Sequence, residues 1–141
     1  MSWQGEVIWK KYIPSHHDIE RTPNGTLLAL TLTNRRVVLN EKERLIVDNL
    51  LSVLDESGEV VESRSLFDIL SADSAQRALV DNRAREGKAN DLLHANSVEW
   101  MREKHLFGTS PLCSADHVVV SLRHQDIVAI VDWKQRRLVW W

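Results

Sequence analysis

The chain has 141 residues, of which 43% are hydrophobic and 27% charged, with five Gly and three Pro; this balance suits one globular domain and excludes a disordered or fibrous chain. A formal net charge of −2 with both signs scattered leaves no basic stripe for nucleic acid and no acidic tail. Cys113 is the only cysteine, which rules out an intrachain disulfide and a cysteine-rich metal site, and no apolar run approaches a membrane span.

The first residues, Met1 to Glu6, have neither the basic start nor the apolar run of a secretory signal. Gly5-Glu6-Val7-Ile8-Trp9 reads as a strand, placed over residues 3–10. A His-bearing strand follows from His17 to Pro23, turns at Asn24-Gly25, a strong hairpin signal, and returns through Thr26 to Thr31. The apolar run Leu51 to Asp55, the turn Asp55-Glu56-Ser57-Gly58 and the strand Gly58 to Glu62 form a second hairpin.

Beyond it the pattern changes period. Leu66, Phe67, Ile69 and Leu70, then Ala75, Ala78 and Leu79, fall at helical spacing, with Ser71 or Ser74 as an N-cap, so one or two short helices are expected. The strand pattern then resumes: His94 to Trp100, a longer loop, His117 to Arg123, Ile127 to Asp132, and Arg136 to Trp140.

These elements repeat after about 77 residues. Four strands per copy joined as a meander describe a propeller blade, and the excess over a repeat of roughly 40–50 residues lies in the helical segment. The expected fold is therefore all-β, a single partial β-propeller domain over residues 1–141. It comprises a lone strand at 3–10, a blade at 16–64, a helical insertion at 65–90 and a blade at 91–141. An independent β-sandwich or a sheet dimer is the competing architecture, and the ending Val139-Trp140-Trp141, without a polar cap, counts against it. Two blades cannot close a ring, so self-association through exposed blade edges is expected. The six Trp are expected to pack between blades. The compartment stays open: the chain works in the cytoplasm, or it is separated from the part of a longer protein that carried its address, which the repeats favour.

Three segments, SHHDIERTPNGTLLAL, DLLHANSVEW and VVVSLRHQDIVAIVDWKQRRLVWW, resemble those of the arylsulfotransferase family, in the family's order and across nearly the whole chain. That resemblance implies a six-bladed propeller that moves a sulfuryl group from an aryl sulfate to a phenol. It also implies that His94 and Asn96 match a His-x-Asn-Ser element, Arg123 a Ser-x-Arg-His element and His17 the histidine of a His-His-Asp element, all facing the central channel. The residue types suit the task. Residues two apart on a strand point the same way, so His94 and Asn96 are expected to address one anion, and Arg123 adds a permanently charged fork of donors that fits an oxyanion.

His16 is an alternative to His17, whereas His105, His117 and His124 read as surface or local polar residues. A metal site from His16, His17 and His94 lacks supporting spacing, so neither metal nor cofactor is expected, and no Gly-rich phosphate loop appears. The resemblance further implies a nucleophilic histidine from a later blade, which no residue here matches, so activity of this chain by itself is not expected. A non-catalytic propeller-like interaction module is the second functional reading.

Overall fold

The computed structural model describes residues 2–85 and 90–141; the end of the expected insertion, residues 86–89, lies outside the described residues. Among the described residues, eight strands form two four-stranded antiparallel sheets, each in sequential order, the meander expected of a blade. The first contains β1 (Ser15–Arg21), β2 (Leu27–Leu39), β3 (Lys42–Leu54) and β4 (Val60–Ser65). The second contains β5 (Ala95–Trp100), β6 (His117–Leu122), β7 (Ile127–Asp132) and β8 (Arg137–Trp140). Helices α1 (Leu66–Ser71) and α2 (Ser74–Arg85) join the two, so the protein is all-β with a short helical insertion, consistent with partial propeller blades.

The turns follow from local chemistry. Thr22 and Thr26 close the β1–β2 turn through backbone and hydroxyl hydrogen bonds, with Gly25 at φ 88°. Asp55 Oδ1 accepts from the backbone N–H groups of Ser57 and Glu59, which holds the β3–β4 turn, and Gly58 there takes φ 80°. The reading of the sequence ends the second strand at Thr31 and starts the third at Leu51; the structure carries both further. β2 and β3 pair without interruption from Leu27↔Leu54 to Leu39↔Lys42, and the loop is only Asn40-Glu41. Both loop residues have positive φ, 50° and 64°, as a type I′ hairpin requires. The far half of this hairpin rests on α2, where Arg77 donates to the Val38 carbonyl and Asn40 to that of Asp81.

Residues 3–10, expected as a further strand, form no ladder. Val7 and Ile8 are exposed, and the segment is held by the β3–β4 turn instead: the Trp9 ring lies on Gly58 and Lys11 pairs with Glu59. β-branched and aromatic residues make a strand only where a sheet edge pairs with them, and here Trp9 finds a glycine surface first.

The helices start elsewhere than expected. Ser65 caps α1, its hydroxyl accepting from the Asp68 N–H, and Asp73 accepts from the N–H groups of Ala75 and Gln76 at the start of α2. Ala75 and Ala78 face solvent, whereas Gln76, Val80 and Ala84, four residues apart, face inward with Leu79 half-buried.

One hydrophobic core runs through both sheets and both helices, including Leu30, Leu51, Leu66, Leu70, Leu93 and Val120. The sheets meet along β1 and β5, the first strand of each. Asp18 on β1 accepts the Val98 N–H of β5 at 2.9 Å. Trp133 fills part of the junction, against Trp100 at 5.2 Å between ring centroids, with its indole N–H donated to Glu62 on the other sheet. Of the six Trp, Trp133 therefore packs between blades as expected and Trp100 is half-buried beside it. Trp3, Trp140 and Trp141 are exposed.

Candidate functional site

His17 and His94, equivalent positions of the two repeats, meet where β1 and β5 come together. Their Nε2 atoms are 3.1 Å apart. Both residues hold left-handed backbone, φ 56° and 49°, which for non-glycine residues is uncommon and concentrates at functional positions. Each also adjoins an irregularity of its strand: β1 slips register between Ser15 and Ile19, and β5 between Ala95 and Ser97. Such bulges re-aim side chains, and here they turn one imidazole from each sheet toward the other.

The β5 bulge changes the relation between His94 and Asn96. Ala95 and Val98 are both buried while Asn96 and Ser97 are both exposed, so one residue is inserted into the alternation. The rule that residues two apart share a face does not hold across it. Arg123 lies beyond the end of β6, in a 3-10 turn over Arg123–Gln125. Its backbone N–H donates to the His94 carbonyl at 3.1 Å, so the residue is fixed beside His94, and its exposed side chain makes no hydrogen bond or ion pair among the described residues.

Three residues not expected from the sequence complete the surroundings of His94. Asp91, three residues earlier, has Oδ2 at 2.7 Å from His94 Nδ1, and its Oδ1 accepts the His94 backbone N–H at 2.9 Å. Asn49, fully buried on β3, donates to Asp91 Oδ1 and accepts the Ala95 N–H, both at 2.9 Å, so one amide ties the first sheet to the start of β5. His124 stacks on His94 with ring centroids 4.7 Å apart, and its Nδ1–H donates to the Asp91 carbonyl at 2.7 Å. The Asp-x-x-His spacing at Asp91 and the place of His124 next to Arg123 were visible signals; Asn49, 42 residues from Asp91, had none.

Burial alone raises the Asp91 carboxyl, but the hydrogen bonds from Asn49 and His94 outweigh it and the net shift is downward. A depressed folded-state value means that Asp91 stabilises the fold fully above the ordinary carboxylate value, about 4, and loses that contribution as pH falls through its lower folded value. Acid unfolding followed by circular dichroism should therefore be shallower below about pH 4 in Asp91→Asn than in the unmodified chain. His16 points another way: burial first, then the charge of His17, push its imidazole down, and its Nε2 is buried without a hydrogen-bond partner among the described residues.

Asp91, His94 and His124 bring one donor atom each within 4.8 Å of the others, a spacing that could admit a metal ion. Asp91 already accepts three hydrogen bonds through its carboxylate and both Nδ1 atoms are engaged, so a cation taken up through the Nδ1 atoms would displace bonds that organise the cluster. His16 does not join His17 and His94 in such a group among the described residues. Next to the cluster, a cleft of about 340 Å³ lies between residues 9–13 and β1, lined by Trp9, Lys11, Ile13, His16 and His17 among others, and reaches the site from the His17 side.

His105 is exposed beside Glu103 in the β5–β6 loop, and His117 is buried with Nδ1–H donated to the Leu112 carbonyl, a local polar residue as expected. No described helix is long and apolar enough to cross a membrane. A family model described as Arylsulfotransferase (ASST) matches residues 4–141. No curated protein and no solved structure matches.

Proposed function

We propose that this chain, which belongs to the arylsulfotransferase family, binds the sulfuryl group of an aryl sulfate ester at the junction of its two sheets and takes part in passing it to a phenol. The observation that carries this reading is the approach of His17 and His94 across the junction at 3.1 Å, with Arg123 anchored to the His94 backbone. The exposed guanidinium and, in their protonated form, the two imidazoles on neighbouring elements can supply donors to several oxygens of one tetrahedral anion.

Sulfuryl transfer leaves negative charge on the equatorial oxygens and on the departing phenolic oxygen. Fixed donors aimed at those positions lower the barrier without having to reorganise. A nucleophile forms a bond to sulfur as the S–O bond to the aryl group breaks; the phenolate leaves with the electron pair and takes a proton. The acceptor phenol then gives up its proton and displaces the nucleophile from sulfur. In this reading His17, His94 and Arg123 hold the group, Asn96 reaches it from the exposed bulge and not from the face of His94, and the nucleophilic histidine is none of these four. No nucleotide cofactor is needed, since the ester itself carries the activated group.

Sulfate and p-nitrophenyl sulfate, titrated into the isotopically labelled chain, should move the His17 and His94 ring signals along one saturable curve in the millimolar range, about 4 kcal/mol. Shifts that do not saturate, or that fall on His105 as much as on His94, would remove the reading and leave the interaction module as the better account.

A further inference from the structure

The hydrogen bonds around Asp91 determine where the protons of three histidines reside. A carboxylate only accepts, so His94 Nδ1 must donate to it, and a backbone carbonyl only accepts, so His124 Nδ1 must donate to the Asp91 carbonyl. A neutral imidazole carries one proton, which leaves the Nε2 atoms of both rings as bare acceptors. His94 Nε2 then faces His17 Nε2 at 3.1 Å, so His17 must be the donor of that contact.

We propose that Asp91 is the positioning residue of the site: it sets the tautomer and orientation of His94, and through His94 it sets the proton of His17. A carboxylate behind an imidazole that holds the ring in one tautomer and supports the proton it later takes up is a known way of preparing an acid–base group. The arrangement thus equips His94 Nε2, once the His17 N–H gives up its place on that lone pair, to receive a proton such as the one an acceptor phenol must lose. This use rests on the sulfuryl-transfer reading, while the tautomers themselves do not, so the test is made without any anion and the two ideas fail separately.

Asp91→Asn is suited to the test because its orientation is forced. The Oδ1 position accepts from the His94 backbone N–H and from Asn49, so the amide oxygen must occupy it and the NH2 group must face His94 Nδ1. His94 then has to carry its proton on Nε2 and donate to His17, which must move its own proton to Nδ1. His124 provides an internal control, because its partner is the Asp91 backbone carbonyl and the substitution leaves that group in place.

Long-range proton–nitrogen correlation spectra of the full chain, at a pH of about 8.5 where imidazoles are neutral, read all three rings. The expected result is Nδ1–H for His94 and His124 and Nε2–H for His17 in the unmodified chain. In Asp91→Asn, His94 should change to Nε2–H and His17 to Nδ1–H, with His124 unchanged. An Nε2–H form of His94 in the unmodified chain overturns the proposal, and so does a variant spectrum in which His94 keeps its tautomer. Should the variant fail to fold, the spectrum of the unmodified chain decides alone.

Discussion

Replacing Arg123 by alanine should weaken sulfate binding about tenfold or more, moving a millimolar site toward tens of millimolar. The residue is held by its backbone bond to the His94 carbonyl, so the turn geometry does not depend on the guanidinium, whose side chain has no partner among the described residues to lose. Truncation therefore removes the charged fork without leaving a buried group stranded. A charge-assisted hydrogen bond contributes about 1.5–3 kcal/mol, and exposure of the side chain places the loss near the lower end. His105→Ala is the matched control, since that exposed ring pairs with Glu103 in the β5–β6 loop and should leave affinity within about twofold. Isothermal titration at low ionic strength reads both variants. Equal affinities for Arg123→Ala and the unmodified chain would take Arg123 out of the site.

The elements that a reader of the sequence can place are those whose information is local. Asn24-Gly25 and Asp55 to Gly58 announce their turns because glycine supplies the positive φ and aspartate folds back on nearby N–H groups. The 77-residue correspondence between His17 and His94 likewise anticipates two similar sheets, although not that the two rings touch. Asn40-Glu41 escapes notice because Glu at φ 64° is no standard turn residue, and the turn is dictated by the paired strands on either side of it. The Asn96 relation fails for a physical reason too: a bulge inserts one residue, and period-two reasoning has no way to see it. Ala75, Ala78 and Leu79 suit a helix face as well as Gln76, Val80 and Ala84 do, and only the packing of α2 under the long hairpin decides which faces inward.

Asn49 is the residue least visible in the sequence and the one whose loss should cost most. It lies mid-strand in β3, fully buried, with its amide spending the oxygen on the Ala95 N–H and a hydrogen on the Asp91 carboxylate. Asn49→Ala leaves the buried Ala95 N–H without a partner and removes one of the three bonds that hold Asp91 ionised in a half-buried place. Each stranded polar group costs about 1–3 kcal/mol, so a loss of roughly 2–4 kcal/mol in unfolding free energy is expected from urea denaturation. Asn96→Ala, one position past Ala95 and exposed, should stay within about 0.5 kcal/mol. The effect should also be felt at the site: with Asp91 less constrained, the His94 ring signals should broaden or shift while those of His117, held by Leu112 in the second sheet, remain in place. A loss below about 1 kcal/mol, or an unchanged His94 signal, would show that the two sheets and the site are joined by the apolar core and by bonds such as Asp18 to Val98 and Trp133 to Glu62, without the strut that the buried amide provides.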